Sequence, residues 1–270
     1  MKVSYIKYVV FVFLFFISST SFSQSFSGKV TYVSKSKMEL GKWGAKMSEA
    51  QKKQIASRLK NRLEKTYVLK FNKQESFFKE DEKIDAISGA TDSWGAYFSR
   101  GDQYKSISDN KLIQSQEFYG KRFLVKDDLY KINWTLGSET KQIGNYTCFK
   151  AKAFVPYQEL KWFEFSWSDL NASNKEGQEE KMIVVEAWYT PTIPIAQGPA
   201  EYWGLPGLIL EVSAQNTTLL CTEIVIDKQN NLEVSPPEKG KQITKKEYAK
   251  TVKNKMLEMR NNRMGRGRRG

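Results

Sequence analysis

The residue types available for acid–base and metal chemistry are few in this chain of 270 residues, because it has no histidine. Without an imidazole, the commonest general base, the Ser-His-Asp and Cys-His arrangements and most zinc and copper sites are excluded. Three carboxylates remain close in sequence, Glu186, Glu201 and Glu211, and two carboxyl groups at a suitable separation can hydrolyse a glycosidic bond. Nothing in the sequence fixes that separation, and no nucleophile motif is present. We therefore expect a non-enzymatic protein without cofactor or metal, and keep a hydrolase of envelope polymers as the second alternative.

The two cysteines, Cys148 and Cys221, are a candidate disulfide pair. Each lies in a β-like run, at 146–155 and 217–226, and shares a strand face with polar neighbours. Closing so long a loop would contribute about 4 kcal/mol in the chain-entropy model. The sequence does not place the two Cα atoms within bonding range, so two unpaired thiols remain the alternative.

The first residues have the pattern of a secretory signal peptide. Lys2 and Lys7 precede an apolar run at 8–17, which a Ser/Thr stretch follows at 18–23. An apolar run of about ten residues is shorter than the ~20 that span a bilayer, so cleavage is favoured over an uncleaved anchor. Loss of residues 1–23 removes two lysines and lowers the net charge from +13 to +11. We expect a periplasmic or secreted protein at the outer membrane, where a disulfide is permitted.

Short strand candidates dominate the rest of the chain. They are separated by Gly, Asp or Asn turns and lie at 26–33, 66–71, 75–79, 96–99, 103–108, 111–118, 122–126, 129–134, 146–155, 162–167, 182–190, 207–214 and 217–226. Because parallel strands need long crossovers, this close spacing predicts an antiparallel meander. The fold class is therefore mainly β with two helices (α+β).

Capping-box patterns predict the two helices. Ser48 and Gln51 form one such pattern at the start of an amphipathic helix at 49–65, and Thr244 and Glu247 form a second at the start of a helix at 245–260. The predicted organisation is a β domain at 24–240 that contains the first helix, followed by a basic helix and a disordered Arg/Gly tail at 241–270.

One passage has a residue pattern that is more specific than the Gly and Pro residues of an ordinary turn. Residues 186–212 read EAWYTPTIPIAQGPAEYWGLPGLILEV and resemble the GLPGLI family of secreted proteins from Bacteroidetes, which is named for the residues at 204–209. The segments 139–151 and 217–226 are also similar to family strands, and nearly the whole mature chain is covered, with 156–181 the least similar part. The resemblance implies secretion and genes near TonB-dependent outer-membrane receptors, and it supplies no established catalytic residue.

A long antiparallel meander with one or two helices is similar in layout to the open half-barrels of LolA-type periplasmic lipoprotein carriers. In such a half-barrel a helix closes a concave apolar face. A closed barrel or a plain sheet with packed helices produces the same sequence pattern, and layout alone is weak evidence for function. A periplasmic carrier of lipid or another apolar ligand is therefore the first functional alternative.

Aromatic, Gly and Pro residues of the GLPGLI-like passage form a candidate binding rim or interface, although core and corner packing is the commoner role of such residues. They are Trp188, Tyr189, Tyr202, Trp203, Gly204, Leu205, Pro206 and Gly207. We expect an accessory or binding protein that acts with an outer-membrane protein, such as a TonB-dependent receptor.

The basic tail is a second candidate contact surface. Its arginines are Arg260, Arg263, Arg266, Arg268 and Arg269. In a secreted protein they favour an anionic envelope surface, at about 1 kcal/mol per basic residue. No nucleic acid is expected, and a purely solubilising tail is the alternative.

Overall fold

The computed structural model describes residues 26–37, 44, 46–81, 100–165, 180–227 and 232–266. The predicted signal peptide at 1–23 and the strand candidate at 96–99 lie outside these ranges. Within the described residues, no helix is long and apolar enough to cross a membrane.

In the described part of the chain, twelve strands form one sheet, which confirms the predicted mainly β fold. The strands are β1 (Ser27–Ser36), β2 (Glu64–Phe71), β3 (Glu75–Glu80), β4 (Gln103–Ser106), β5 (Lys111–Phe118), β6 (Lys121–Asp128), β7 (Thr135–Ile143), β8 (Tyr146–Pro156), β9 (Met182–Thr190), β10 (Leu208–Ala214), β11 (Thr217–Asp227) and β12 (Lys241–Ile243). Their spatial order is β12-β6-β5-β4-β3-β2-β1-β11-β10-β9-β8-β7, so the sheet is open, with β12 and β7 at its edges. Every pair is antiparallel except β12 with β6.

Two strand predictions are wrong. Residues 129–134 form an irregular link rather than a strand, and the strand follows them as β7. The strand was predicted from the apolar residues of this segment, but Leu129 and Ile132 are buried without strand pairing. Residues 162–165, the described part of the candidate at 162–167, form a turn after the short helix α3 (Tyr157–Lys161).

Both predicted helices begin at the residues that the sequence indicates. Ser48 and Gln51 form the reciprocal hydrogen bonds of a capping box, at 2.9 and 3.2 Å. The predicted helix at 49–65 is interrupted at Leu59, which leaves α1 (Glu49–Arg58) and α2 (Lys60–Leu63).

The second predicted helix is longer than expected. It is α4 (Lys245–Arg266), and its first turn is held by the predicted capping box of Thr244 and Glu247.

The short link at 129–134 requires a strongly curled sheet. It joins β6 to β7, which lie ten strand positions apart. In a flat sheet that separation is about 48 Å, at about 4.8 Å per strand. Six linking residues span at most about 25 Å. The two halves of the sheet must therefore curve toward each other, and their inner faces enclose the core.

The inner face carries two apolar clusters. The larger one joins β1–β3 to β8–β10 and includes Val30, Leu69 and Val185, each fully buried. The smaller one lies where α4 covers β5 and β6, with the Tyr248 ring 5.5 Å from both Phe123 and Trp162. α4 is thus anchored to the sheet by its apolar stripe, as its spacing predicts.

Candidate functional site

The segment between β9 and β10, residues 191–207, folds into the interior and is called the inner loop below. Ile193, Ile195 and Leu205 are at most 3% exposed. The backbone NH of Gly204 donates to the carbonyl of Ala196 at 3.0 Å, so the loop closes on itself. The inner loop, which is the central part of the GLPGLI-like passage, therefore occupies the space between the two halves of the curled sheet.

Lys105 of β4 holds the inner loop through its ammonium group. Its Nζ donates to the backbone carbonyls of Gly198 at 2.8 Å, Ala200 at 2.7 Å and Tyr202 at 3.2 Å. Residues opposite one another in an antiparallel register share a face, and Lys105 lies opposite Ser76 and Leu112 on the inner face. All three donor positions of the ammonium are occupied, and the side chain is fully buried.

Burial lowers the pKa of Lys105 from 10.5 to about 7, since the charged form is cut off from water. The carboxylate of Glu201 acts in the opposite direction and Arg100 in the same direction. The lysine is closed to substrates, so its geometry is that of a structural anchor.

A buried ion pair lies beside the lysine. Arg100 Nη1 contacts Glu201 Oε1, and the two side chains are 15% and 8% exposed. Gln103 Nε2 donates to the same carboxylate oxygen at 3.2 Å and to Gln114 Oε1 at 3.0 Å. The guanidinium lies 4.8 Å from the centre of the Phe163 ring. Among the described residues the second carboxylate oxygen, Glu201 Oε2, has no hydrogen-bond partner.

Two further contacts tie the inner loop to its surroundings. Ser76 Oγ on β3 donates to Gln197 Oε1 at 2.8 Å. Trp203 Nε1 donates to the carbonyl of Tyr130 at 3.0 Å, and Trp134 Nε1 donates to the carbonyl of Trp203 at 2.8 Å. The loop is therefore fixed both to the opposite half of the sheet and to the link that makes the sheet curl.

The three carboxylates noted in the sequence are divided between the two faces of the sheet: Glu201 is inside, whereas Glu186 and Glu211 are diagonal neighbours on the outer face of β9 and β10. Glu201 contacts Arg100. Glu211 contacts Lys141 at 2.5 Å, and Glu186 contacts Lys152 at 3.1 Å. Each of the three carboxylates is held in an ion pair, and Glu186 also contacts Lys150 at 3.5 Å. Among the described residues there is also no group of three or more Cys, Asp and Glu that could hold a metal ion.

The predicted binding rim is divided between the interior and the surface. Tyr189, Tyr202, Leu205 and Gly207 are buried, Trp188 and Trp203 are half-buried, and Gly204 and Pro206 are exposed. The Trp188 ring lies on the outer face, with Lys141 Nζ 4.9 Å and Lys150 Nζ 5.6 Å from its centre. The buried members contribute to packing and cannot touch a partner directly.

The cysteines are free thiols in the structure, Cys148 buried and Cys221 half-buried. Burial raises the pKa of Cys148 to about 11 and that of Cys221 to about 12. Neither thiol is activated as a nucleophile at neutral pH.

The arginines predicted to contact an anionic surface are only partly described. Arg260 is half-buried on α4. The backbones of Arg263 and Arg266 belong to α4, but their side chains are not among the described groups. Arg268 and Arg269 lie outside the described residues.

Sequence reasoning missed the polar residues that organise the interior, Arg100, Gln103 and Lys105. β4 is only four residues long and all four are buried, so it shows no alternation of apolar and polar side chains. A polar strand of this kind resembles an exposed edge until its contacts are known.

Residues 134–211 match the model of a family described as "Protein of unknown function (Porph_ging)". The matched segment covers β7, β8, β9, the inner loop and the start of β10. No curated protein matches the chain.

Two solved structures of PNGF-II are similar to the chain. The C2 crystal form has 14% identity and a TM-score of 0.47, and the match covers 84% of this chain and 32% of that one. The P21 form has 16% identity and a TM-score of 0.43, over 80% and 31%. This chain therefore spans about one third of the length of those two structures.

Proposed function

We propose that the protein is a non-enzymatic binding or accessory protein of the bacterial envelope and a member of the GLPGLI family. The match at 134–211 contains residues 204–209, for which the GLPGLI family is named. The proposed location is the periplasm, at the outer membrane, and the proposed partner is an outer-membrane protein such as a TonB-dependent receptor. The observation that carries the binding role is an apolar patch on the outer face of β8 and β9.

This outer patch consists of Phe154, Met182 and Val184, which are 67%, 47% and 52% exposed. Phe154 lies opposite Val184 in the β8–β9 register, and Met182 is two residues from Val184 on the same face. These three side chains form a contiguous exposed apolar patch, and the largest such patch on a protein surface is often an interaction site.

Charged residues border the outer patch. The next pair along the two strands is Lys152 with Glu186, which forms an ion pair of 3.1 Å. An apolar centre with a polar border is the composition of a protein–protein interface. The patch is small, which suits a transient or accessory contact rather than an obligate dimer.

Packing inside the sheet weighs against the lipid-carrier alternative. Across the described inner face, side chains such as Val30, Leu69, Ala151 and Leu210 are fully buried against other residues of the chain. The inner loop occupies the region where a carrier would keep an acyl chain. A carrier would also release lipid in native mass spectrometry, whereas we expect none.

The separate pairing of Glu186, Glu201 and Glu211 weighs against the hydrolase alternative. Two-carboxylate hydrolysis requires both groups to face one bond at a defined distance. Here Glu201 lies inside, and Glu186 and Glu211, which share the outer face, are each held in ion pairs with lysines rather than directed at one bond.

Site-specific photocrosslinking tests the proposed partner. A benzophenone amino acid replaces Phe154 in the full chain, produced in its native host. We expect crosslinks from position 154 to an outer-membrane β-barrel protein, identified by mass spectrometry. Val225 on β11 is the matched control, since it is also a large apolar residue on the outer face and is 45% exposed. Absence of a crosslink from 154, or equal crosslinking from both positions, would overturn the proposal.

A further inference from the structure

A second feature of the surface is a cleft of about 580 Å³ between the end of β1 and the helices α1 and α2. Five lysines line it: Lys35, Lys37, Lys52, Lys53 and Lys60. Two carboxylates, Glu49 and Glu64, share the lining, so the described lining residues carry a net charge of about +3. It is called the lysine cleft below.

Most of these ammonium groups lack a counter-charge. Lys52 Nζ contacts Glu49 at 2.7 Å, and Lys35 lies opposite Glu64 in the β1–β2 register. Within the described residues, Lys35, Lys37, Lys53 and Lys60 form no ion pair. Like charges around one cleft repel each other and raise the local concentration of anions.

The helix beside the cleft has little else to hold it. α1 has ten residues and buries none of them. Isolated helices of this length are marginal in water. An anion that contacts Lys52 and Lys53 of α1 together with Lys37 at the end of β1 would tie the helix to the sheet. Lys37 is itself fixed there, because its backbone NH donates to the Asn216 carbonyl at 2.8 Å.

We propose that the lysine cleft binds an anion that carries several phosphate groups. Lysine ammonium groups bind phosphate as point charges, and clustered lysines favour compact, multiply charged ligands over single carboxylates. A lipid headgroup and a soluble polyphosphate share this chemistry. The inference does not depend on partner binding at the outer patch, so either proposal can fail without the other.

Calorimetric titration of the full chain with inorganic tripolyphosphate tests the cleft. We expect one-to-one binding that weakens as salt is added. The double variant Lys37→Glu/Lys53→Glu should lose at least about tenfold in affinity. The control Lys246→Glu/Lys250→Glu makes the same charge change at exposed positions on α4, and its affinity should change less than about twofold. No binding by the wild type, or an equal loss in both variants, would overturn the proposal.

Hydrogen exchange measures whether the anion orders α1, which a change in net charge alone would not do. Tripolyphosphate should slow amide exchange in residues 49–63 of the wild type and of the α4 control, but not of the Lys37→Glu/Lys53→Glu variant. Unchanged exchange in the wild type would contradict the bridging of α1 to β1.

Vesicles of phosphatidylcholine with cardiolipin, a lipid whose headgroup carries two phosphates, distinguish the two sources of phosphate. The ligand is a lipid headgroup if the wild type sediments with these vesicles, the cleft variant does not, and tripolyphosphate reverses the sedimentation of the wild type. Tripolyphosphate binding without sedimentation assigns it to a soluble phosphate compound. Both results support the same phosphate chemistry in the cleft.

Discussion

Lys105 on β4 donates a hydrogen bond of 2.7 Å to the backbone carbonyl of Ala200, and this bond joins the two halves of the sheet. Ala200 has a left-handed backbone with φ of +53°, which is uncommon for a residue with a side chain. The strain is tolerated because three carbonyls of the inner loop converge on one ammonium group.

Replacement of Lys105 by Met should destabilise the protein. The substitution keeps the length of the side chain but leaves the carbonyls of Gly198, Ala200 and Tyr202 without their donor. Buried unsatisfied groups cost about 1–3 kcal/mol each, so we expect a loss of about 3 kcal/mol in the free energy of unfolding, measured with urea. Lys111→Met on β5 is the control, because Lys111 is exposed, and it should change stability by less than about 0.5 kcal/mol. Similar losses in both variants would contradict the anchoring role.

The stability of the wild type should rise with pH relative to that of Lys105→Met. Burial lowers the pKa of Lys105 from 10.5 in the unfolded chain to about 7 in the folded protein. Between these two values the unfolded chain binds more protons, so increasing pH favours the folded state, and below about pH 7 the contribution is constant. Urea unfolding of both proteins between about pH 6 and pH 9 measures the difference. The variant retains both cysteines, so their titration cancels in the comparison, and a difference that does not change with pH would refute the lowered pKa.

The sheet could be predicted from the sequence wherever side chains alternate between core and solvent. β5 and β9 have the predicted bounds, at 111–118 and 182–190, because each has one buried and one more exposed face. The capping boxes at Ser48 and Thr244 could also be predicted from the sequence, since they depend only on residues close together in the chain.

β7 and the interior contacts were not predictable in this way. β7 is an edge strand whose residues are mostly exposed, so its sequence lacks an apolar stripe. The partners of Lys105 lie more than ninety residues away along the chain, and their approach depends on the curl of the whole sheet. The aromatic residues of the inner loop suggested a binding rim, but sequence alone does not say which of them face inward.

The Arg100–Glu201 pair should show strong coupling in a double-mutant cycle. Glu201→Gln leaves a buried guanidinium without its counter-charge, and the expected cost is about 3 kcal/mol. Arg100→Met in the same background should restore much of that loss, because the unpaired charge is then removed. Arg122 and Glu117 form the comparison pair, with a contact of 3.8 Å and side chains that are 67% and 61% exposed. Their coupling should be below about 1 kcal/mol, and equal coupling in the two cycles would show that the buried pair has no special role.

The last residue of the inner loop, Gly207, should not tolerate a side chain. A Cβ atom at this position would lie 2.2 Å from the carbonyl oxygen of Thr190, which belongs to the rigid end of β9. Gly207→Ala should therefore lower the free energy of unfolding by about 3 kcal/mol in urea titrations, through overpacking. Gly120 in the β5–β6 turn is the matched control, since its φ is +73° but a Cβ would meet no atom within 4 Å. Gly120→Ala should cost only about 1 kcal/mol, from backbone strain without a clash. If the two alanine variants are equally stable, the close approach of the inner loop to β9 does not constrain the fold.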